Sequence, residues 1–188
     1  QNDAEVEGVY SEIEQKWGGL DFVVHSVAYA GKEELRAPFH HTSREGFRTA
    51  LEVSAYSLIT VTRGAVPLMK NGGAIITLTY LGSQRAVPNY NVMGVAKAAL
   101  EATVRYLAAE LGEKAIRVNA ISAGPIRTLA ASGISNFSEI FGIMENRSPM
   151  HRSVTQDEVG KSALYMLSDL SSGARGETTY GATGYTTA

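Results

Sequence analysis

The sequence contains no cysteine, and this absence excludes disulfides, zinc–thiolate sites and thiol nucleophiles together. It also lacks an excess of basic residues. The formal net charge is −2, so neither nucleic acid nor an anionic membrane surface is a predicted partner. No stretch approaches 18 consecutive apolar residues, and the N-terminal segment is acidic and helical in pattern, unlike a signal peptide. We therefore predict a cytoplasmic protein with no membrane segment.

What the chain does contain is an alternation of short apolar runs with longer amphipathic segments. Three of the apolar runs are rich in β-branched residues, as expected of strands that are buried on both faces of a parallel sheet. A weaker run lies near the C-terminus. The predicted strands are residues 20–28, 74–80, 116–122 and 178–181.

Helical periodicity fills the segments between the predicted strands. A capping side chain with a glutamate three positions later predicts a helix start at Asn2, Thr42 and Thr155. The predicted helices extend from Asn2 to Trp17, from Thr42 through Ala65 to the pair Gly72-Gly73, from Asn91 to Leu111, and from Thr155 through Leu167.

This alternation indicates right-handed βαβ units, and we predict one α/β domain over residues 1–188 with a parallel sheet covered by helices on both faces. Ligands bind such sheets outside the carboxyl ends of the strands. Functional residues are therefore expected in the segments 26–31, 80–91 and 122–131.

Two tyrosines and a lysine belong to the second of these segments and the helix after it. Tyr90 and Lys97 are seven residues apart, about 700° of helical rotation, so they share one face two turns apart. Tyr80 ends the preceding strand, and Lys97 leans back towards it, so the three groups can converge on one crevice. An ammonium there would favour the phenolate and strengthen the phenol as a donor. The spacing alone is common, and core tyrosines with a solvated lysine also satisfy it.

The segment SAGPIRTLAA follows the third predicted strand, at residues 122–131. Its small residues permit close approach of the backbone to a ligand, Pro125 fixes the turn, and Arg127 and Thr128 supply donors for an anion such as a pyrophosphate. An ordinary loop also contains Gly-Pro, so this segment by itself does not decide between a ligand site and a plain connection.

Several familiar motifs are absent from the sequence. Gly160-Lys161-Ser162 lacks the upstream glycine of a P-loop and lies inside a predicted helix, and no G-x-S-x-G elbow is present. The four histidines have no partner at metal-ligand helical spacing, so no metal site is predicted. No G-x-G-x-x-G turn opens a first βα unit.

Three strings together carry a family resemblance: VHSVAYA after the first strand, VPNYNVMGVAKAALEA around Tyr90 and Lys97, and AGPIRTLA after the third strand. From Gln1 to about Glu177 the chain resembles the bacterial and plastid enoyl-acyl carrier protein reductases, a divergent branch of the short-chain dehydrogenase/reductases. Ordinary short-chain dehydrogenases carry Tyr-x3-Lys, whereas position 94 here is glycine and the lysine follows two turns after the tyrosine. The resemblance implies a Rossmann-like three-layer αβα sandwich, assembled as a homotetramer.

The resemblance also implies an activity: hydride from NADH reduces the trans-2 double bond of an acyl thioester on acyl carrier protein, the last step of the fatty-acid elongation cycle. NADPH stays open as the cofactor, because the residues that meet the 2′ position follow an early strand that this sequence lacks. Tyr90 matches the residue that stabilises the enolate, Lys97 the residue that holds the nicotinamide ribose, and Tyr80 a second active-site tyrosine. The other implied contacts are Ser26 and Val27 with the adenosine half of the cofactor, Ile126, Arg127, Thr128, Leu129 and Ala130 with the nicotinamide carboxamide and pyrophosphate, and Ala30 with the substrate.

The chain departs from the family pattern at both ends. Members have about 65 residues before the position of Gln1, so we expect a fragment whose first strand is an apolar sheet edge. Gly181 and Ala182 stand where Val-Asp is expected, and no function is assigned to the tail. Residues 129–144 match a mobile lid. Two other functions stay open: an ordinary short-chain dehydrogenase for ketoacyl or alcohol substrates, and an inactive, cofactor-free scaffold subunit.

Overall fold

Four parallel strands in the order β1-β2-β3-β4 form the central sheet. The computed structural model describes residues 2–126 and 137–187, with the backbone alone described at residues 137–140, 144 and 187. The strands are β1 (Phe22–His25), β2 (Gly73–Thr79), β3 (Ile116–Ala123) and β4 (Thr178–Gly181). In the parallel register Val24 lies opposite Ile76, and Ile76 lies opposite Asn119.

Helices cover both faces of this sheet. They are α1 (Asp3–Trp17), α2 (Lys32–Arg36), α3 (Arg44–Leu51), α4 (Ser57–Ala65), α5 (Asn91–Leu111), α6 (Phe137–Arg147) and α7 (Gln156–Leu167). A π-helical turn, Glu52–Tyr56, joins α3 to α4 without a break, and a short 3-10 turn, Val66–Leu68, ends the run. The long helix predicted between the first two strands is therefore present, with a wider turn at its centre.

The alternation of side chains along β2 divides the core between the two faces. Ile75 packs with Leu58 of α4 and Leu100 of α5, whereas the next residue, Ile76, packs on the opposite face with Val159 of α7. Successive residues of a strand point to opposite faces, so a strand covered on both sides needs an uninterrupted apolar run. The predicted three-layer α/β sandwich with a parallel sheet is confirmed.

The first strand differs from its prediction, because β1 is not buried on both faces. Phe22 and Val24 are 53% and 48% exposed, whereas Val23 packs against the core on the α4 and α5 side. On the exposed side α7 lies against β2, β3 and β4, and β1 is the edge of the described sheet. The predicted apolar sheet edge at this strand is therefore confirmed.

The helix predicted to start at Thr42 begins one residue later. Ser43 is the N-cap of α3, and its hydroxyl accepts a hydrogen bond of 2.9 Å from a backbone N–H three residues on. The Thr42 hydroxyl donates instead to the Phe39 carbonyl, at 2.6 Å, in the preceding turn. The capping box predicted at Thr155 and Glu158 is confirmed at the start of α7.

Two helices, α2 and α6, have no counterpart among the predicted helices. Helix α6 contains the second half of the segment predicted to be a mobile lid, and residues 129–136 of that segment lie outside the described residues. The motion of the lid stays a prediction. Among the helices of the described residues, none combines the length and the apolar character that crossing a membrane requires.

Candidate active site

Tyr80 and Tyr90, two of the three residues predicted to converge, are in contact at the carboxyl end of β2. Tyr80 immediately follows β2, and Tyr90 immediately precedes α5. Their rings meet edge to face, with centroids 5.0 Å apart and planes at 70°. This is a preferred geometry for an aromatic pair. The connection between β2 and α5 therefore folds back on itself and brings two phenols to one place.

Lys97, the third of these residues, is buried in the second turn of α5, with 7% of its surface exposed. Its ammonium donates a hydrogen bond of 2.8 Å to the carbonyl of Leu78, near the end of β2. Helical side chains lean towards the helix N-terminus, and this carries the amine from α5 to the strand end that precedes Tyr80. The interpretation of Lys97 as a solvated surface lysine is wrong.

The turn after Tyr80 packs tightly against the start of α5. A methyl group on Gly82 would clash with the ring of Tyr90, and one on Gly94 would lie 2.7 Å from the carbonyl oxygen of Gly82. Position 94 is one helical turn after Tyr90, where an ordinary short-chain dehydrogenase has its lysine. The backbone of Gly82 occupies that space here. The fold therefore excludes a lysine one turn after Tyr90 and accommodates one two turns after it.

Burial dominates the protonation of these groups. It raises the pKa of Tyr90, with a smaller contribution from Tyr80, and it raises the pKa of Tyr80 to about 12, with a contribution from Tyr185. Burial also lowers the pKa of Lys97 to about 8, against an opposing effect of Glu101. Burial therefore outweighs the other effects on the phenols. Both phenols are neutral hydrogen-bond donors at neutral pH.

His25, at the end of β1, is a buried neutral imidazole beside this group. The Ser57 hydroxyl donates to the Val53 carbonyl at 2.6 Å, so it accepts from the Nε2–H of His25 at 2.8 Å. The Nδ1 atom of His25 then accepts from the Thr77 hydroxyl at 2.8 Å. Burial, followed by the charge of Lys97, lowers the pKa of His25 to about 4. The imidazole is held as one tautomer between β2 and α4.

The π-helical turn holds the loop that follows β1. The Tyr29 N–H donates to the Ser54 hydroxyl at 3.0 Å, and that hydroxyl lies 3.2 Å from the Tyr29 carbonyl. Ser54 is buried in the π-helical turn. Ser26 and Val27, predicted to contact the adenosine half of the cofactor, are exposed in this loop, and Ala30, predicted to contact substrate, is half-buried there. Wide helical turns of this kind are frequent at functional sites.

Of the third segment predicted to hold functional residues, 122–131, the structure describes residues 122–126. Ile126 follows β3 and packs against the core on the α7 side. Arg127, Thr128, Leu129 and Ala130 lie outside the described residues, so their contacts with a cofactor stay predictions.

The C-terminal tail, for which no function was predicted, lies beside the site. The Gln84 amide donates to the Tyr180 hydroxyl, and the Arg85 guanidinium donates to the Thr186 carbonyl at 3.4 Å. Tyr185 is near enough to Tyr80 to act on its pKa. The tail therefore packs on the connection between β2 and α5.

Sequence reasoning missed two buried polar side chains next to the predicted ones, His25 and Glu101. Their exposed fractions are 2% and 7%. Glu101 follows Lys97 by four residues in an otherwise uncharged stretch, and this spacing puts the two on one helix face. That pairing is a sequence signal that could have identified Glu101. His25 has no such signal, because its partners are far away in the sequence.

The residues at the strand ends fit a nicotinamide dinucleotide. An ammonium carries three donors, and the Leu78 carbonyl accepts one from Lys97, so two can serve the hydroxyls of a ribose. Ser26 and Val27 are exposed directly after β1, at the edge of the sheet where nucleotides bind in this architecture.

A parallel α/β sandwich that brings a tyrosine and a buried lysine to the strand ends defines the short-chain dehydrogenase/reductase class of oxidoreductases. Comparison with known sequences narrows this class. The family model for enoyl-(acyl carrier protein) reductase matches residues 1–186. The chain belongs to the enoyl-(acyl carrier protein) reductase family, as its sequence motifs predict.

Curated relatives and solved structures agree with this assignment. An NADH-dependent enoyl-acyl-carrier-protein reductase of Nostoc is 53% identical over 185 residues, covering 98% of this chain and 72% of that protein. One from Rhizobium meliloti is 53% identical over 184 residues, covering 98% of this chain and 68% of that protein.

The crystal structure of the Bacillus cereus enoyl-acyl carrier protein reductase with NADP+ and an indole naphthyridinone has a TM-score of 0.97 and 49% identity. It matches 100% of this chain and 73% of its own. The Anaplasma phagocytophilum enzyme in complex with NAD has a TM-score of 0.96 and 50% identity, and the match covers 100% of this chain and 71% of its own.

Proposed function

We propose that this protein reduces the trans-2 double bond of enoyl thioesters carried on acyl carrier protein, with NADH as the hydride donor. The observation that carries the proposal is the buried Lys97 two turns after Tyr90, with the one-turn position closed by the packing of Gly94 on Gly82. This arrangement disfavours the ordinary ketone-reducing Tyr-x3-Lys site. The names of the relatives support the substrate and the cofactor.

In the proposed mechanism Tyr90 is the donor to the thioester oxygen. Hydride addition at the β-carbon develops negative charge on that oxygen, and a preorganised donor in a water-poor site stabilises it. Burial raises the pKa of Tyr90, so the phenol keeps its proton at neutral pH and is available to donate. The edge-to-face contact with Tyr80 fixes the ring of Tyr90. Tyr80 and Ala30 are proposed to contact the acyl chain.

The cofactor supplies the hydride, and the chain's own residues bind and orient it. Lys97 is proposed to donate to the ribose hydroxyls of the nicotinamide half, and its amine is already held at the strand end by Leu78. Ser26 and Val27 are proposed to contact the adenosine half, and residues 126–130 the carboxamide and pyrophosphate. The hydrogen bond from the Tyr29 N–H to Ser54 stabilises the loop that contains Ser26 and Val27.

We place the protein in the cytoplasm as a homotetramer of single-domain subunits, each with the whole of residues 1–188 in one domain. The single sheet formed by the described strands supports one domain. Large exposed apolar side chains support association of subunits: Leu164 is 69% exposed and Leu170 is 80% exposed. Gel filtration with light scattering measures the assembly, and a monomer would contradict it.

The test is oxidation of NADH with crotonyl and longer trans-2-enoyl thioesters, followed for the wild type, Tyr90→Phe and Lys97→Ala. Loss of the phenol donor is expected to lower kcat by about 10²–10³-fold. Loss of the ammonium is expected to weaken NADH binding by about 10–100-fold, because a hydrogen bond to a charged group contributes about 1.5–3 kcal/mol.

Matched controls are Tyr106→Phe and Lys114→Ala, which change exposed residues in and just after α5. Both are expected to behave as the wild type. Turnover of 3-ketoacyl but not enoyl thioesters would overturn the proposed reaction. Failure of the wild type to bind NADH at all would favour a scaffold subunit.

A further inference from the structure

Glu101 is a buried carboxylate that the proposed mechanism does not use. It lies on α5 one turn after Lys97, with 7% of its surface exposed. Its Oε1 atom accepts two hydrogen bonds, from the Thr79 hydroxyl at 2.7 Å and from the Ser83 hydroxyl at 2.6 Å. Burying a carboxylate is costly without compensation, and hydrogen bonds to the charged form supply part of it.

The two donors flank the turn that forms the site. Thr79 is the last residue of β2, and Ser83 ends the 3-10 turn Leu81–Ser83. Tyr80 and Gly82 lie between them, and Gly82 packs on Tyr90. One oxygen atom of Glu101 therefore ties both ends of this turn to α5. A shift of the carboxylate would move both phenols relative to Lys97.

The carboxylate also acts on Lys97 electrostatically. Among the described residues, Glu101 on the same helix and His25 at the end of β1 are near enough to interact with the charge of Lys97, and the phenols of Tyr80 and Tyr90 lie at the same end of β2. His25 and the phenols are neutral at pH 7, so Glu101 supplies the compensating negative charge. Glu101 opposes the lowering of the Lys97 pKa that burial causes.

We propose that Glu101 is a positioning residue of the active site: its carboxylate fixes the turn that carries Tyr80 and maintains the positive charge of Lys97. The proposal rests on the function proposed above, and it separates into two effects. The hydrogen bonds act on geometry, and the charge acts on the protonation of Lys97. Variants that remove one effect at a time distinguish them.

The first measurement is the pH dependence of kcat/KM for the full-length enzyme. Glu101→Gln keeps the shape of the side chain and its carbonyl oxygen but removes the charge. Without that charge the pKa of Lys97 falls. The alkaline limb of the kcat/KM profile, where activity is lost as Lys97 loses its proton, therefore moves to lower pH. A fall of one unit from about 8 would leave about one tenth of Lys97 protonated at pH 8 instead of one half, a loss of about fivefold. Little change is expected at pH 6.5.

Ser83→Ala keeps the charge and removes one hydrogen bond. It is expected to lower kcat by about 10–100-fold without moving the alkaline limb, because a hydrogen bond to a charged carboxylate contributes about 1.5–3 kcal/mol. Glu110→Gln is the matched control, since it removes an exposed carboxylate from the same helix. It is expected to leave both kcat and the limb unchanged.

A second measurement needs neither cofactor nor turnover. Titration of 15N-labelled lysine side chains by NMR resolves Lys97 among the six lysines, with Lys97→Arg to assign it. Its pKa is expected to be lower in Glu101→Gln than in the wild type and unchanged in Glu110→Gln. If the wild type fails to reduce enoyl thioesters, the proposed function fails, and this titration still decides the electrostatic effect.

Two results would overturn the proposal. An unchanged titration of Lys97 in a folded Glu101→Gln protein refutes the electrostatic effect. A wild-type kcat in Ser83→Ala refutes the effect on geometry, and this variant carries the test if Glu101→Gln does not fold.

Discussion

Gly94→Ala is expected to destabilise the protein, although alanine is the better helix former. In an ordinary helix interior this exchange stabilises by about 1 kcal/mol. At position 94 the new methyl group would lie 2.7 Å from the carbonyl oxygen of Gly82, and because that atom belongs to the backbone the whole turn must move. Overpacking of this kind costs about 1–3 kcal/mol. The expected net change is a loss of about 1 kcal/mol in the free energy of unfolding.

Gly160→Ala is the matched control for this prediction. Gly160 lies inside α7, and a methyl group there would meet no heavy atom within 4 Å. This variant is expected to gain about 1 kcal/mol, so the two alanine variants should differ by about 2 kcal/mol. Urea denaturation followed by circular dichroism measures both.

The two outcomes also differ in activity. Gly94→Ala is expected to lower kcat, because Tyr90 rests on the turn that must move, whereas Gly160→Ala is expected to leave kcat unchanged. Stabilisation of similar size in both variants, with kcat intact, would refute the argument that the Gly82–Gly94 contact excludes a side chain one turn after Tyr90.

Two further predictions concern the buried polar groups near the first strand. Folding lowers the pKa of His25 to about 4, so below about pH 6.5 the unfolded chain binds a proton that the native state does not. The free energy of unfolding should therefore fall as the pH drops from 6.5 towards 4, by up to about 1.4 kcal/mol per pH unit. Urea titrations at several pH values measure this slope, and His25→Gln should reduce it. An unchanged slope in this variant would contradict the prediction. Ser54→Ala should cost about 1 kcal/mol and speed hydrogen exchange of the Tyr29 amide, and wild-type exchange there would show that the contact does not hold the loop.

The layers of the fold could be predicted because apolar periodicity reports them directly. β2 is a mostly apolar run, β3 carries apolar residues on both faces, such as Val118 and Ile121, and both strands are covered on both sides by helices. The same pattern gave a wrong prediction at β1. An apolar run such as Phe22 to Val24 shows that a strand can be buried on both faces, but the neighbouring elements determine whether both faces are covered. The start of α3 was missed by one residue because Thr42 is also a capping residue, and only the preceding turn decides which hydroxyl is available.

The candidate site was predictable where its residues are close in sequence. Tyr90 and Lys97 share one helix, so their spacing fixes their common face. Glu101 was not identified as part of the site because its hydrogen-bond partners are 18 and 22 residues away, and a glutamate on a helix is ordinarily solvated. The protonation of the phenols was not predictable for a related reason. Sequence spacing indicates which charged residues are neighbours. The extent of burial, which the sequence does not show, determines whether neighbouring charges or desolvation has the larger effect on a pKa.

The π-helical turn Glu52–Tyr56 constrains the length of the chain more than its composition. Ser54, inside the turn, binds the loop at Tyr29, and Ser57, just beyond it, binds His25. Deleting one residue between the two serines would rotate α4 by about 100° relative to α3. The contact of Ser54 with Tyr29 and the contact of Ser57 with His25 could then no longer form at the same time. Exchanges at Tyr56, whose side chain is exposed, are free of this restriction. Natural variants of this segment should therefore accumulate substitutions while remaining without insertions or deletions.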